Sequence, residues 1–498
     1  RVRIDYVENT LAEATVAPIT APWQPPMAAS VSDALSTEQI AALSLWLPPI
    51  VVNPLSPVLS SLPSAIAAVW SPPDSGGAAV YKITTSASGI YRIDRDFLLA
   101  KGLTVAAIND IDLDEVRLFN RGAEVALDIF DQAPLGQLDA GDYIGFYAQA
   151  IDGTYQKYST DNIYWLTLSG GSGLAKRMAA DDGAPAAGEL GVDFIDTVRH
   201  EQNIIYWLKA PGADSIERWF FGTFVQGDEH DGGGAPKAFT INVPEPTSNG
   251  TLTISMAAQT ATDHAIEVAA NGATTTVYWS GIAYYEATLE NVPLFAGDNT
   301  VTLQCLSADG NDSIAVDYFE VTYRRDYVAG TDDTLKFAPD NGSRYVIDGF
   351  STDTLAAYDI TDPTDAMRLT GYAVTGPDGE GKYSIEFEPA STGDTYYVLS
   401  SDAVYAPDTL TEDTASSLFD TGNGADYILI THRDIGWDLN GDAYPWLQDL
   451  VALRQAQGLR VQVVDIEDIY DEFSYGIKSP RALKDFLSYA YSNWRSPA

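Results

Sequence analysis

The amino-acid sequence predicts a mainly β, multidomain protein that is followed by the incomplete start of an α/β domain. Short apolar runs that alternate with polar residues, separated by Gly, Asp and Asn, recur from about residue 80 to residue 424. After Asp426 the pattern changes to strand, helix, strand, helix, which is typical of βαβ units and a parallel sheet. A chain of 498 residues is long enough for several such domains.

The charge balance excludes some classes of partner. The chain carries 70 acidic and 28 basic residues, and its formal net charge is −42. This excess argues against nucleic-acid binding, which needs clustered positive charge, and against binding to anionic membranes. It favours solubility, the binding of divalent cations, or a saline surrounding. The sequence has no run of 18 apolar residues, so no membrane span is predicted.

Residues 1–76 are interpreted as a proline-rich, apolar N-terminal arm, which holds 11 of the 26 prolines. The sequence begins with Arg1, which indicates a processed or truncated N-terminus. Within the arm, Thr37–Leu47 is compatible with one helix. The arm is too apolar to be a solvated linker, and two interpretations stay open. It packs along the protein's own β-domains, or it docks onto another subunit or a surface partner.

Three β-rich domains are predicted after the arm. Residues 77–195 form an N-terminal β-domain with short, aromatic-rich strands. Residues 196–330 contain seven closely spaced strand candidates and are interpreted as a β-sandwich or jelly roll. Residues 331–424 carry further strands between Asp-rich turns and form an additional β-domain.

Residues 425–498 are predicted to be the truncated start of an α/β domain. Tyr427–Thr431 and Leu459–Val464 have the composition of strands, and the helix between them ends at Gly458. Ser479 caps a last helix. The predicted buried stripe of that helix is Leu483, Phe486, Leu487, Ala490, Tyr491 and Trp494. Two parallel strands do not form a stable sheet alone, so further chain or a partner must complete it.

One loop has the pattern of a cation site. Asp438, Asn440 and Asp442 place oxygen side chains at alternate positions, as in the opening of a calcium-binding loop. The glycine expected at the sixth position is replaced by Ala443, and Asp449 stands at the twelfth position instead of glutamate. An Asp/Asn-rich turn is therefore the alternative interpretation. Calcium is the one cofactor that the sequence predicts.

The single cysteine and the four histidines are the other candidates for chemistry. Cys305 and His264 both lie in strand-like alternations and are compatible with neighbouring positions, but a cysteine in the middle of a strand is usually inert packing. His432 follows a strand of the parallel type, where ligand sites of α/β folds lie, although a capping or structural role is the other interpretation. No catalytic residue is assigned within this chain.

Several linked segments carry a family resemblance. The strand ADYILITH precedes the helix WLQDLVALRQAQG; a strand and turn, VQVVDIEDIYDEF, follows, and then the helix DFLSYAY. Upstream, YKITTSASGIYRI, VRLFNRG and GDYIGFYAQ fit the same pattern. In these segments the sequence resembles the gingipain family of secreted bacterial cysteine peptidases. The resemblance covers about residues 78–498 and does not include the arm.

The resemblance implies a caspase-like catalytic domain whose histidine and cysteine lie downstream of this chain. It thus implies the N-terminal, non-catalytic portion of a secreted or cell-surface cysteine endopeptidase, in a family that often binds calcium. The alternative is an extracellular structural or adhesive scaffold that docks on a filament or surface assembly through residues 1–76. Both place the protein outside the cell or on the bacterial surface, and the sequence leaves open whether this chain is itself an enzyme.

Overall fold

The computed structural model describes residue 73 and residues 79–495, except for residues 153–154, 171–172, 213–217, 228–233, 391–392, 394 and 439–440. The predicted N-terminal arm, with its helix Thr37–Leu47, lies outside the described residues apart from Pro73. The described part is mainly β, is divided among several sheets and has an α/β segment last. The predicted fold class is therefore confirmed. No helix in this part is long and apolar enough to cross a membrane.

Strands far outnumber helices among the described residues. In chain order, the strands are β1 (Val80–Thr85), β2 (Gly89–Asp94), β3 (Arg117–Asn120), β4 (Ala123–Val125), β5 (Asp128–Phe130), β6 (Tyr143–Ala148), β7 (Asn162–Thr167), β8 (Ala180–Asp182), β9 (Phe194–Glu201), β10 (Ile205–Tyr206), β11 (Trp219–Phe220), β12 (Phe224–Gln226), β13 (Lys237–Val243), β14 (Gly250–Ala258), β15 (Asp263–Ala270), β16 (Ala273–Ser280), β17 (Tyr284–Val292), β18 (Gly297–Cys305), β19 (Ser313–Arg325), β20 (Thr334–Phe337), β21 (Tyr345–Phe350), β22 (Leu355–Asp359), β23 (Met367–Thr370), β24 (Ala373–Thr375), β25 (Tyr383–Phe387), β26 (Tyr396–Ser400), β27 (Thr409–Glu412), β28 (Tyr427–Thr431) and β29 (Val461–Asp465). The helices are α1 (Arg95–Ala100), α2 (Val105–Asn109), α3 (Arg433–Gly436), α4 (Pro445–Ala456), α5 (Ile466–Ser474) and α6 (Pro480–Asn493).

The first β-domain consists of two antiparallel sheets around one apolar core. The larger sheet has the order β27-β1-β7-β3-β4 and the smaller has the order β2-β6-β5. Ile83, Ile93, Leu118, Ile144 and Leu166 are buried in their common core. In β3, buried positions alternate with half-buried ones, which is the period-two pattern that the sequence shows, whereas β6 is buried at five of its six residues.

The second β-domain is a sandwich of two antiparallel sheets. One sheet has the order β12-β19-β14-β17 with β9 paired to β19, and the other has the order β13-β18-β15-β16. Their core includes Ile254, Val268, Leu303 and Phe319, all fully buried. The ladder between β14 and β19 shifts register between Ser255 and Met256, so that β19 carries a bulge there.

The third β-domain has a five-stranded sheet, β20-β26-β22-β23-β8, and a three-stranded sheet, β21-β25-β24. Two strands join sheets far from their sequence neighbours. β8 pairs in parallel with β23 of this third domain. β27 returns to the first domain and pairs with β1, from Tyr81 opposite Glu412 to Thr84 opposite Thr409. β8 and β27 therefore pair with strands that are far from them in the sequence, and the three β-domains do not follow one another strictly along the chain.

The α/β segment contains the predicted strand, helix, strand and helix, and two more helices, α3 and α5. β28 and β29 pair in parallel, from Tyr427 opposite Val461 to Thr431 opposite Asp465. Ser479 Oγ accepts a hydrogen bond from the backbone of Arg481 (3.2 Å), so the predicted cap of α6 is confirmed. Residues 466–474, which resemble a turn in the sequence, instead form the helix α5.

The predicted buried stripe of α6 is wrong at two residues. Leu487 is 39% exposed and Tyr491 is 68% exposed, whereas Tyr489 is buried. The reason is that residues 418–419 cover the helix from the side of Tyr489. Tyr489 Oη donates to the carbonyl oxygen of Phe419 (2.7 Å), and Trp494 Nε1 donates to that of Leu418 (2.9 Å). Periodicity alone does not say which side of a helix these flanking residues will cover.

Candidate functional site

Polar side chains gather at the carboxyl ends of the two parallel strands. His432 directly follows β28, and Asp465 ends β29. His432 is also the N-cap of α3, because its Nδ1 accepts a hydrogen bond from the backbone of Asp434 (3.2 Å). The capping role that the sequence allows for His432 is therefore the one that the structure shows. Ligand sites of open α/β sheets lie at this edge, so it is the candidate site.

Helix α5 supplies carboxylates to this edge. Arg433 Nε donates to Asp465 Oδ2 (2.8 Å), and Arg433 Nη2 lies 3.9 Å from Asp468 Oδ1. His432 Nε2 lies 3.5 Å from Glu467 Oε1. Burial raises the pKa of Asp468 to about 6, and the nearby charge of Asp465 acts in the same direction. A carboxyl group with this pKa exchanges protons readily near neutral pH, but proton exchange alone cleaves no peptide bond.

The opposite side of α5 is held against the first β-domain. Lys82 Nζ on β1 donates to both carboxylate oxygens of Asp471 (2.9 and 2.8 Å) and lies 3.7 Å from Asp413 Oδ1. Burial raises the pKa of Asp471, while Lys82 acts against this rise. Trp165 Nε1 on β7 donates to the carbonyl oxygen of Tyr475 (2.9 Å), directly after α5. The candidate edge is thus fixed relative to the first sheet.

Glu472 provides a third anchor for α5. Its Oε1 accepts hydrogen bonds from Ser416 Oγ and from the backbone of Leu418, and its Oε2 accepts one from the backbone of Phe419. The residue is 4% exposed, and a carboxylate at this burial needs such donors. Its three donors lie 53 to 56 residues before it in the chain, so sequence reasoning missed this role.

Part of the predicted calcium loop lies within the described residues. Asp438 Oδ1 accepts a hydrogen bond from the backbone of Asp442 (3.0 Å), and Gly441 has a φ of +82°. Asn440 lies outside the described residues, whereas Asp442 is exposed. Within the described part of the chain, no group of three His, Cys, Asp or Glu side chains is suited to hold a metal ion. Calcium binding by Asp438, Asn440 and Asp442 stays a prediction.

Cys305 and His264 meet in the second β-domain through a residue that sequence reasoning missed. His264 Nδ1 lies 2.8 Å from Asp312 Oδ1, and Cys305 Sγ lies 3.6 Å from Asp312 Oδ2. Thr260 Oγ1 also donates to Asp312 (2.8 Å). Asp312 is fully buried, and Cys305 is only 5% exposed. A thiol at this depth does not reach a peptide substrate, so the cluster is packing and not a catalytic pair.

Of the other two histidines, only His200 lies within the described residues, and it is not at the candidate edge. His200 contacts Phe221 with tilted rings, whose centroids are 5.4 Å apart. It lies on β9 in the second domain, in the strand that pairs with β19. His230 lies outside the described residues.

A comparison with known families decides how this segment is interpreted. Residues 420–498 match the sequence model of Peptidase family C25. The resemblance to the gingipain family is confirmed. The matched residues include β28, β29 and all the helices from α3 to α6, so the gingipain-like segment is the one that carries the candidate edge.

Solved structures extend the likeness of the fold beyond this segment. Dimeric latent PorU from Porphyromonas gingivalis is similar to 84% of this chain, at 18% identity and a TM-score of 0.59. The chain covers 40% of that PorU chain and so spans less than half of its length. No curated protein matches this chain.

Two carbohydrate-binding modules also match, with low scores. The CBM36-1 domain of a xylanase from the hindgut metagenome of Trinervitermes trinervoides is 17% identical over 26% of this chain and 95% of its own, with a TM-score of 0.18. CBM35 from Cellvibrio japonicus Abf62 is 20% identical over 25% of this chain and 92% of its own, with a TM-score of 0.19.

Proposed function

We propose that this chain is the N-terminal, non-catalytic portion of a secreted or cell-surface gingipain-like cysteine endopeptidase, with the catalytic histidine and cysteine downstream of these residues. The observation that carries the proposal is the position of the C25 match. It falls on the α/β segment with its parallel strand pair, and not on the three β-domains.

The location of the only cysteine supports the proposal that this chain is the non-catalytic portion. Cys305 ends β18 inside the second β-domain, where it contacts Asp312. His432, at the candidate edge, is occupied as a helix cap. In a cysteine peptidase a thiolate attacks the peptide carbonyl and a histidine gives a proton to the leaving amine. The proposal therefore places the residues for these two steps elsewhere in the protein.

The uncovered surface of the α/β segment also supports the proposal. Leu447 is the one buried residue of α4, whereas Trp446 is 42% and Leu453 is 54% exposed. All five residues of β28, from Tyr427 to Thr431, are only half-buried. Parallel sheets are normally covered on both faces, so this surface suits further strands and helices of the same domain.

The mass of the native protein tests the proposal. We expect the gene to encode a His-Gly pair and a cysteine after Ala498, and the native polypeptide to exceed 53.7 kDa. The longer protein should cleave peptides in a manner that thiol reagents block, and residues 1–498 alone should not. A native mass of 53.7 kDa contradicts the proposal and favours a scaffold that docks through residues 1–76.

We also propose calcium binding by Asp438, Asn440 and Asp442 as part of this function. The support is the alternation of oxygen side chains at the start of the loop. Calorimetric titration with Ca²⁺ should show saturable binding that Asp442→Asn weakens about tenfold or more, through loss of one charged ligand. Asp353→Asn, at an exposed position of the third β-domain, is the matched control. Equal affinities in the two variants contradict the site.

A further inference from the structure

A small cavity lies between the first and third β-domains. Its volume is about 160 Å³. Arg92 of β2 and Tyr143 of β6 line it from the first domain, and Tyr358, Arg368 and Ser400 line it from the third. Pockets for drug-sized ligands start at roughly 300 Å³, so this cavity suits a smaller guest.

The charges around the cavity favour an anion. Arg368 Nη1 lies 3.5 Å from Asp128 Oδ1, and Tyr358 Oη donates to Asp128 Oδ2 (3.3 Å). Within the described part of the chain, Arg92 pairs with no carboxylate. Its guanidinium carbon lies 4.2 Å from the ring centroid of Tyr143. Two guanidinium groups thus accompany one carboxylate here, which leaves local positive charge in a chain whose net charge is −42.

Two of the residues that line this cavity each carry a buried polar atom with no hydrogen-bond partner. Ser400 is fully buried, and its Oγ has none. The Nε of Arg92 is also buried and unpartnered. A polar group left in this state costs roughly 1–3 kcal/mol. Arginine Nε–H can only donate, and a serine hydroxyl can donate, so a hydrogen-bond acceptor is the partner that suits both atoms.

We propose that this cavity binds a small oxyanion, whose negatively charged oxygen atoms accept hydrogen bonds from Arg92 and Ser400. Inorganic phosphate, sulfate and a small carboxylate share this chemistry, and planar or tetrahedral oxygens match a guanidinium group well. The side chain of Arg368 is 43% exposed and marks the solvent side of the site. A bound anion would join β2 of the first domain to β26 of the third, because these strands hold Arg92 and Ser400.

Calorimetric titration of the full chain with phosphate, sulfate or acetate tests the site. We expect saturable binding of at least one of the three anions at a ratio of one per chain. Arg92→Gln should weaken that binding about tenfold or more, since it removes a charge-assisted hydrogen bond. Ser400→Ala should weaken it by about threefold to tenfold. The control is Arg344→Gln. Arg344 also lies in the third β-domain, where it pairs with Glu386, but it does not line the cavity.

The outcomes are distinct. The proposal is supported if Arg92→Gln and Ser400→Ala both weaken anion binding and Arg344→Gln does not. The proposal is overturned if no anion binds saturably, or if all three variants bind like the wild type, as a general salt effect would give. Circular dichroism shows whether each variant is folded. If Arg92→Gln is not folded, Ser400→Ala decides alone, and unchanged affinity in that variant overturns the proposal.

Discussion

Lys82 of β1 forms an ion pair with both carboxylate oxygens of Asp471 in α5, although 389 residues separate the two in the sequence. The lysine nitrogen lies 2.9 and 2.8 Å from the two carboxylate oxygens. The Asp471 side chain is 3% exposed and that of Lys82 is 15% exposed. This contact joins the gingipain-like segment to the first β-domain, and water contributes little to the solvation of either charge.

Lys82→Met should lower the free energy of unfolding by about 3 kcal/mol. The reason is that Asp471 would stay buried without its cation, which is the costly way to break a buried pair. Urea denaturation measures the effect. Arg481→Gln is the control, since Arg481 pairs with Asp485 on the surface and its side chain is 83% exposed. That control should change stability by at most about 0.5 kcal/mol, and a comparable loss in both variants contradicts the prediction.

Asp317, in the bulge of β19, predicts a dependence of stability on pH. Ser255 Oγ donates to Asp317 Oδ2 (2.9 Å), and burial raises the pKa of Asp317 to about 6. In the unfolded chain an aspartate has a pKa of about 3.9. Between about pH 4 and pH 6 the folded state therefore binds more protons than the unfolded state, and this carboxyl group lowers stability as the pH rises.

Asp317→Asn should remove this contribution. The variant should exceed the wild type by about 2 kcal/mol in unfolding free energy at pH 7 and lose that advantage at pH 4. The pKa of Asp468 is also raised to about 6, so the slope of the wild type should shrink in the variant without vanishing. Urea unfolding at pH 4, 5, 6 and 7 gives the comparison. A difference that does not change with pH contradicts the assignment.

Asp312→Asn should destabilise the second β-domain by about 1–3 kcal/mol. An amide offers one acceptor oxygen where the carboxylate offers two, so Thr260, His264 and Cys305 would not all keep their partner. Urea denaturation and the reaction rate of Cys305 with a thiol reagent should both report the change. Asp298→Asn, at an exposed position of the same domain, should alter neither. A thiol that reacts quickly in the wild type contradicts its burial.

His432→Ala should cost about 1 kcal/mol of unfolding free energy, because α3 loses the acceptor for the backbone of Asp434. His432→Asn should restore most of the loss, since asparagine is a good N-cap. Denaturation of the two variants under the same conditions makes the comparison. If the asparagine variant is no better than the alanine variant, the role of the ring is not that of a cap.

The sequence predicts local features of the last segment well. β28 has the bounds that its apolar run indicates, and Ser479 caps α6 as its position before Pro480 suggests. These features follow from neighbouring residues. The face of α6 that is buried depends instead on residues 418–419, about 70 residues upstream, and for this reason periodicity misplaces Tyr491.

Helix α5 shows the same limit more sharply. Its buried residues include Asp471 and Glu472, which a sequence pattern assigns to the solvent. They are buried because Lys82 and the residues near Ser416 supply their partners, and those partners are far away in the chain. The buried carboxylates Asp471 and Glu472 of α5 are therefore not predictable from periodicity, although the place of His432 after β28 is.

The position of β27 next to β1 affects how the protein is made and how it responds to nicking. The central strand β1 lies between β7 and β27, and β27 begins at Thr409. A ribosome must therefore synthesise two further domains before the first sheet receives its outer strand. A protease that cuts once between β7 and β27 would produce two bands on a denaturing gel. The fragments would still migrate together under native conditions, because the backbone hydrogen bonds between β1 and β27 hold them together.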